Sequence, residues 1–263
     1  IHKLFSNTVS CFPDKVALQI KRDSQWQRFT YRQVEDLSLK VATFLLKQGL
    51  KKTDTVALIL ENRPEWAIIY LGLMYAGLIC VPLDPQLSGE EIKNFIDDSN
   101  AKAIFCSYNI FTPLEREKCK APSFLTGLTK IIILDALDSK DINFVRFSEI
   151  ENIQMEKAIL PVVLADDSAS LLYTSGTTGK PKGVLLTHKN ICSNFKSIAG
   201  LNIYLPSDNT LCILPLYHTY AFMVTLIMPL FKGAMVTYFA LGFKPQDLSA
   251  IIKEAQVTLL VGV

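Results

Sequence analysis

The sequence predicts an α/β fold with mostly parallel, doubly wound sheet architecture. Short apolar runs typical of buried strands alternate along the chain with segments whose apolar residues repeat at helical spacing. Residues 55–60 form a near-continuous apolar run, as expected of a strand covered on both faces. Pro64 follows at a position that suits the first turn of a helix. With 263 residues, 49% of them apolar, the chain can bury a substantial core.

The first 50 residues predict a β-hairpin followed by a capped helix. Residues 16–20 and 27–29 have the character of its two strands. Thr30 and Gln33 have the spacing of a capping box, in which each side chain accepts a hydrogen bond from the other residue's backbone amide. Gly49 is a suitable end for the helix. The apolar residues that repeat at helical spacing between these points are Val34, Leu37, Val41, Phe44 and Leu45.

The rest of the chain continues this alternation. A helix is expected over residues 64–77, a strand over 79–83, and then a helix capped by Ser88 with Glu91 three residues on. Further strands are predicted at residues 103–106, 130–134, 170–173, 184–187, 210–214, 234–239 and 257–261, and helices near 188–202, 217–230 and 245–255. The stretch 136–168 is the least regular and is expected to hold surface connections.

Composition excludes several classes of protein. The chain has 27 Lys and Arg against 25 Asp and Glu, so its net charge of +2 provides no basic field for nucleic acid. Its six cysteines are widely spaced without a C-x-x-C pair, which favours buried thiols and a cytoplasmic location. The apolar stretches 66–83 and 211–231 are interrupted by Pro, Gly or polar residues. Each is therefore interpreted as a buried helix joined to a buried strand, without a transmembrane segment.

One segment concentrates the residues of an anion-binding loop. Residues 171–184 read LLYTSGTTGKPKGV, with hydroxyl residues, glycines and lysines packed between two apolar runs. Glycines let the backbone point several N–H groups at one anion, hydroxyls add donors, and lysines supply charge. The pattern is not a Walker A loop, and the next element is a predicted strand rather than a helix. The segment predicts a polyphosphate cradle; a flexible surface loop is the alternative.

This segment closely resembles the phosphate-binding signature of the adenylate-forming superfamily, which includes acyl-CoA synthetases, luciferases and the adenylation domains of peptide synthetases. Residues 214–222, LPLYHTYAF, resemble the acyl-pocket motif of the same family. Residues 61–65, 75–83 and 257–263 also fit the family pattern. The resemblance therefore covers nearly the whole chain.

The resemblance implies a two-step reaction with ATP, Mg²⁺ and coenzyme A. A carboxylate attacks the α-phosphate of ATP to give an acyl-adenylate and pyrophosphate, and a thiol then displaces AMP. Because the carboxylate must approach a polyanion, Mg²⁺ and cationic side chains are needed to offset the repulsion.

The resemblance also assigns roles to residues. Catalytic roles go to His218, Lys182 and Thr174, with Thr174 also in the magnesium environment. The expected nucleotide-binding residues are Thr174, Ser175, Gly176, Thr177, Thr178, Gly179 and Lys182. The expected substrate pocket consists of Tyr217, His218, Tyr220 and Phe222.

Each assignment has a structural alternative. His218 can be a histidine enclosed in the core, and the three aromatic residues around it can be ordinary core residues. His188 is expected to cap or pack the helix that it begins. Lys180 can be a solvated loop charge, which leaves Lys182 as the better functional candidate.

By the same resemblance, the chain is the N-terminal part of an acyl-CoA synthetase-like large lobe with two stacked doubly wound layers. Residues 52–203, with the phosphate loop, form one layer, and residues 1–51 with 204–263 form the other. The family's Gly-x-Thr-Glu segment, ribose-binding aspartate and lid lysine do not occur in this sequence. The chain is therefore expected to be a fragment, truncated before the barrel and C-terminal lid, and inactive alone.

The leading functional hypothesis is an acyl-CoA synthetase that acts on a fatty acid, since the apolar stretch 211–231 suits an apolar acyl site and argues against an amino-acid substrate. The expected partners are a small carboxylic acid, ATP and CoA; peripheral membrane contact and oligomeric state stay open. An aryl-acid CoA ligase and a fatty acyl-AMP ligase are alternatives within the enzymes. A non-catalytic nucleotide-binding module and an interaction protein are alternatives from other classes.

Overall fold

The computed structural model of the chain describes residues 1–110, 128, 130–135, 144–174, 182–239 and 245–262. It forms two compact units, each built around its own sheet. Unit 1 consists of Ile1–Ser38, Glu61–Leu71 and Lys189–Val263, and unit 2 consists of Leu39–Leu60 and Gly72–His188. The α/β fold class predicted from the alternation of strands and helices is confirmed.

The predicted elements occur in the predicted order, and the helix His2–Cys11, the strand Val145–Arg146 and the helix Phe147–Glu151 were not predicted. The strands are β1 (Val16–Arg22), β2 (Gln25–Thr30), β3 (Thr55–Ile59), β4 (Ile79–Pro82), β5 (Ala103–Cys106), β6 (Lys130–Ile133), β7 (Val145–Arg146), β8 (Ser168–Thr174), β9 (Lys182–Thr187), β10 (Asn209–Cys212), β11 (Met235–Tyr238) and β12 (Leu259–Leu260). The α-helices are α1 (His2–Cys11), α2 (Tyr31–Lys47), α3 (Pro64–Ala76), α4 (Gly89–Ser99), α5 (Phe147–Glu151), α6 (His188–Ala199), α7 (Thr219–Ala221), α8 (Met228–Phe231) and α9 (Leu248–Glu254). A π-helical segment, Phe222–Ile227, joins α7 to α8, and short 3₁₀ turns lie at Lys157–Ile159 and Pro245–Asp247.

The sheet of unit 1 has five strands in the order β12-β10-β11-β1-β2. Its neighbouring strands are parallel except for β1 and β2, which form the predicted antiparallel hairpin. Asp23 and Ser24, the two residues between them, both have positive φ, at 48° and 62°. Positive φ at both central positions is what a tight hairpin turn matching the strand twist requires.

The sheet of unit 2 has seven strands in the order β7-β6-β5-β3-β4-β8-β9. All neighbouring pairs are parallel except β8 and β9 at the edge, which are antiparallel. The central strand β3 is buried from Val56 to Ile59, as its apolar sequence predicts for a strand covered on both faces. The sheet therefore presents the carboxyl ends of several parallel strands at one edge.

Local signals in the sequence correctly mark the helix starts. The Thr30 amide donates to Gln33 Oε1 at 2.8 Å, and the Gln33 amide donates to Thr30 Oγ1 at 3.2 Å. Ser88 and Glu91 form the second predicted capping box in the same way. The helix expected over residues 217–230 differs, because it begins at Thr219 and widens into π-helical turns.

The stretch 66–83 is buried, and the stretch 211–231 is largely buried except at the exposed residues 218–220. The first forms α3 and β4, and the second runs from β10 to the end of α8. In the described ranges, none of the helices has the length and apolar character needed to cross a bilayer. The five cysteines within these ranges are free thiols, and Cys80, Cys106 and Cys212 are buried.

Candidate functional site

The β8–β9 hairpin of unit 2 carries the two described ends of the predicted phosphate loop. β8 runs parallel to β4, and β9 returns antiparallel with Thr174 directly opposite Lys182. These two residues therefore flank the connection between the strands. The predicted loop residues Ser175, Gly176, Thr177, Thr178, Gly179 and Lys180 lie outside the described residues.

Thr174 and Lys182 are both exposed at the carboxyl end of β8. In open α/β sheets, ligands bind at this end of the parallel strands. The Thr174 hydroxyl donates to the Lys182 carbonyl oxygen across 3.5 Å, which is long for a hydrogen bond. Hydroxyl and ammonium groups are thus both available to an anion at the base of the loop.

Tyr173 and Gly183 fix the geometry of this hairpin one residue below the loop. The Tyr173 hydroxyl donates to Asp98 Oδ2 at 2.5 Å, and its ring lies 4.6 Å from that of Phe95 on α4. Burial, together with the Asp98 carboxylate, raises the pKa of Tyr173 well above its ordinary value. Gly183, directly opposite Tyr173, lets the strands approach closely, since a Cβ there would lie 3.0 Å from Leu171 Cδ1.

Magnesium is the metal that the family resemblance implies at Thr174. Across the part of the chain that the structure describes, no group of three or more His, Cys, Asp or Glu side chains is placed to hold a metal ion. Mg²⁺ is commonly bound by few protein oxygens together with substrate phosphates. The exposed hydroxyl of Thr174 fits that mode of binding.

In unit 1, His218 lies at the end of a tight turn. Its amide donates to the Pro215 carbonyl at 3.1 Å. Its own carbonyl accepts from the Phe222 amide at 2.9 Å, and this hydrogen bond spans α7. The imidazole is exposed rather than enclosed in the core, and its centroid lies 4.4 Å from the Tyr217 ring. Tyr220, 52% exposed, follows on α7.

Phe222 occupies a different environment from the other predicted pocket residues. It is 6% exposed, and its ring lies 5.9 Å from Trp66 and 4.8 Å from Tyr70. Trp66 and Tyr70 stack on each other at 5.5 Å. The structure thus brings Tyr217, His218 and Tyr220 together on one surface turn and places Phe222 in an aromatic core beneath α7.

Asn62 binds the backbone that leads into the His218 turn. Its Nδ2 donates to the Leu214 carbonyl at 2.7 Å and reaches the Cys212 carbonyl at 3.5 Å, while its Oδ1 accepts from the Leu216 amide at 3.0 Å. Sequence reasoning noted the motif that contains Asn62 but gave this residue no role. Its position two residues before the helix that begins at Pro64 was the available signal.

A buried charge network lies beside Asn62. Glu65 is 7% exposed and accepts from Arg63 Nε at 2.9 Å and from Arg22 NH2 at 2.9 Å. Arg63 also pairs with Glu61 at 3.3 Å. Burial acts to raise the pKa of Glu65, but the guanidinium groups of Arg63 and Arg22 outweigh it and lower this pKa to about 2.

His188 packs against the protein at the start of the helix that it begins, as predicted. It is the first residue of α6 and is 3% exposed, and its amide donates to the Asp167 carbonyl at 3.0 Å. This residue therefore packs the start of α6.

Comparison with known proteins identifies relatives along almost the whole chain. The family model described as AMP-binding enzyme matches residues 5–263. The chain is 34% identical over 214 residues to 4-coumarate–CoA ligase 1 of Petroselinum crispum, covering 80% of this chain and 38% of that protein. It is 30% identical over 245 residues to oxalate–CoA ligase of Arabidopsis thaliana, covering 91% and 45% respectively. The chain thus spans less than half the length of these relatives.

Solved structures show the same fold. The inhibitor-bound N-terminal domain of FACL13 from Mycobacterium tuberculosis aligns with a TM-score of 0.85 at 24% identity, covering 98% of this chain and 61% of that one. A fatty acyl CoA synthetase from Mycobacterium tuberculosis aligns with a TM-score of 0.84 at 23% identity, covering 98% and 48%. The predicted fold of an acyl-CoA synthetase large lobe is confirmed by these alignments.

Proposed function

Because the chain belongs to the AMP-binding enzyme family, we propose that its protein uses ATP to activate a carboxylic acid. The acid forms an acyl-adenylate with release of pyrophosphate, and the thiol of coenzyme A then displaces AMP to give a thioester. The observation that carries this proposal is the pair Thr174 and Lys182, exposed opposite each other at the carboxyl end of β8.

Lys182 and Thr174 bind the polyphosphate of ATP in this proposal. The Lys182 ammonium offsets the negative charge that a carboxylate meets as it approaches ATP, and Thr174 contributes a hydroxyl to the phosphates and to Mg²⁺. Bound Mg²⁺ supplies further charge neutralisation at the phosphates. Ser175, Gly176, Thr177, Thr178 and Gly179 complete the cradle.

His218 contacts the acid. Its exposed imidazole donates a hydrogen bond to the carboxylate and orients it for attack, and Tyr217 and Tyr220 line the entrance for the acyl group. An imidazole on a turn fixed at both ends loses little conformational freedom when it binds.

The acid that we propose first is a fatty acid. The apolar segment from β10 to α8, which is largely buried apart from residues 218–220, supports this choice, since an acyl chain needs apolar surroundings. An aryl acid is the second candidate, favoured by the 34% identity to a 4-coumarate–CoA ligase. The free cysteines of the described ranges support a cytoplasmic location.

A hydroxamate assay with a lysine variant tests the proposal. Hydroxylamine traps acyl-adenylate, so the full-length protein is supplied with ATP, Mg²⁺ and a panel of fatty and hydroxycinnamic acids. We expect hydroxamate from at least one acid class, and Lys182→Ala is expected to lower its rate at least tenfold and to raise KM for ATP. Lys196→Ala, which removes an exposed lysine of α6, is the matched control and is expected to match the unmodified protein.

Two results would contradict the proposal. One is the absence of hydroxamate with every acid, and the other is an equal effect of Lys182→Ala and Lys196→Ala. The inactivity of residues 1–263 alone stays a prediction, and pyrophosphate release from that polypeptide tests it.

A further inference from the structure

We propose that Asn62 is the positioning residue for His218, acting through the backbone of residues 212–216. This inference deepens the proposed function and rests on it for the role of His218. Asn62 does not touch the imidazole. It holds the segment from which the His218 turn begins.

The contact of Asn62 with this segment is two-sided. Its amide donates to the Leu214 carbonyl at 2.7 Å and accepts from the Leu216 amide at 3.0 Å, so one side chain binds both neighbours of Pro215. The Pro215 carbonyl in turn accepts from the His218 amide at 3.1 Å. An unbroken series of short contacts therefore joins the Asn62 side chain to the His218 backbone.

The far end of the same segment rests on the same stretch of chain. Phe222, whose amide donates to the His218 carbonyl, packs on Trp66 and Tyr70 of α3. Trp66 and Tyr70 are four residues apart, a spacing that places both side chains on one side of α3, and Asn62 lies two residues before this helix begins. Asn62 and α3 thus hold the entry to and the exit from the His218 turn.

The buried charges keep Asn62 itself in place. Arg63, the next residue, is 6% exposed and is tied to Glu65 at 2.9 Å, and Glu65 is also bound by Arg22 of β1. Moving the Asn62 backbone therefore requires breaking a buried ion pair, which is costly. The backbone of Asn62 is therefore held in place, as are the Leu214 and Leu216 groups that its side chain binds.

Only a carboxamide satisfies both partners. Aspartate retains the acceptor for the Leu216 amide but places a carboxylate against the Leu214 carbonyl, and alanine leaves both backbone groups without this partner. Asn62→Asp therefore removes one of the two contacts and Asn62→Ala removes both, while residue 218 stays a histidine.

Asn209 offers a matched control within unit 1. Its Nδ2 donates to the Ala255 carbonyl at 2.7 Å, and its Oδ1 accepts from Thr237 Oγ1 at 2.7 Å. Asn209→Ala therefore also removes two side-chain hydrogen bonds, but away from the 212–216 segment. This variant shows how the loss of two buried side-chain hydrogen bonds affects the protein when the 212–216 segment keeps its contacts with Asn62.

The first readout is the magnetic resonance spectrum of His218, which needs no catalysis. The chain has three histidines, so the His218 ring signal is assigned by comparison with His218→Ala. We expect Asn62→Ala to shift and broaden this signal while Asn209→Ala leaves it in place. An unchanged His218 signal in Asn62→Ala would overturn the inference, whatever the activity of the protein.

The second readout is the kinetics of hydroxamate formation by the full-length protein. We expect Asn62→Ala to lower kcat/KM for the acid about tenfold or more, with Asn62→Asp intermediate and KM for ATP little changed. Equal losses in Asn62→Ala and Asn209→Ala would also overturn it. If instead His218→Ala leaves acid activation intact, the proposed role of His218 fails, while the spectral test of Asn62 still stands.

Discussion

The buried carboxylate of Glu65 provides a direct test of what holds the candidate acid site together. We expect Glu65→Gln to destabilise the protein strongly at neutral pH. Glutamine keeps the shape of the side chain but removes the charge that compensates Arg63, a guanidinium whose side chain is only 8% exposed. Glu61, at 3.3 Å from Arg63, then remains as a carboxylate partner of this guanidinium.

The magnitude follows from the pKa of Glu65. Burial favours the neutral acid, but Arg63 and Arg22 more than offset it, so the pKa falls from 4.5 to about 2 in the folded protein. At about 1.4 kcal/mol per pKa unit, that difference corresponds to about 3 kcal/mol of stability near neutral pH. Removing one partner of a buried ion pair costs about 3–5 kcal/mol in other proteins, in agreement with this value.

The pH dependence has a defined sign. Because the folded-state pKa lies below the unfolded-state value, the stabilisation by Glu65 is fully present above pH 4.5 and is lost as the pH falls towards 2. The free energy of unfolding of the unmodified protein and of Glu65→Gln should therefore converge over that window. Urea denaturation at pH 7, 5 and 3 measures the difference between them.

Glu90→Gln is the control, because Glu90 is an exposed carboxylate in the first turn of α4. Its effect is expected to stay within about 0.5 kcal/mol. If Glu65→Gln is as stable as Glu90→Gln at pH 7, the Glu65 carboxylate does not stabilise the fold through its ion pairs. The same conclusion follows if Glu65→Gln lowers the free energy of unfolding equally at pH 3 and at pH 7.

Two further predictions concern packing in each unit. Gly233→Ala should lower the free energy of unfolding by about 1–3 kcal/mol, because φ is +80° and the new Cβ lies 2.4 Å from Phe12 Cε2. Gly200→Ala is the control and should be near neutral, because no heavy atom lies within 4 Å of the added Cβ. Equal effects of the two variants on the melting temperature would contradict this prediction. Tyr173→Phe should cost about 1 kcal/mol by removing the hydrogen bond to Asp98 while retaining the ring. An unchanged melting temperature would show that this contact does not anchor the hairpin below the phosphate loop.

The features that the sequence predicted are those encoded between near neighbours. Thr30 with Gln33 and Ser88 with Glu91 are three residues apart, so the partners of each capping box are visible in one short motif. Pro64 likewise marks the start of α3 without any information from the rest of the chain. Strand positions followed from apolar runs for the same reason.

The contacts that shape the candidate site join distant residues and were not predicted. Asn62 binds Leu214 at a separation of 152 residues, and Tyr173 binds Asp98 at a separation of 75. No local pattern specifies such a partner, because it depends on which strands and helices pack together. The π-helical segment was not predicted either. Within its turns Thr225 Oγ1 donates to the Ala221 carbonyl at 2.7 Å, but Thr225 belongs to no sequence motif that marks such a segment.

The described functional residues divide between the two units, and each set is held by contacts inside its own unit. Thr174 and Lys182 lie on a hairpin whose Tyr173 binds Asp98 in unit 2, whereas Asn62 binds the backbone that precedes the His218 turn in unit 1. In the proposed function, ATP and the acid are thus recognised through separate sets of contacts. Substitutions in one set should alter the kinetic constant for one substrate and spare the other. The proposed use of ATP is therefore visible in a local motif, whereas the proposed contact with the acid involves long-range hydrogen bonds that a motif does not contain.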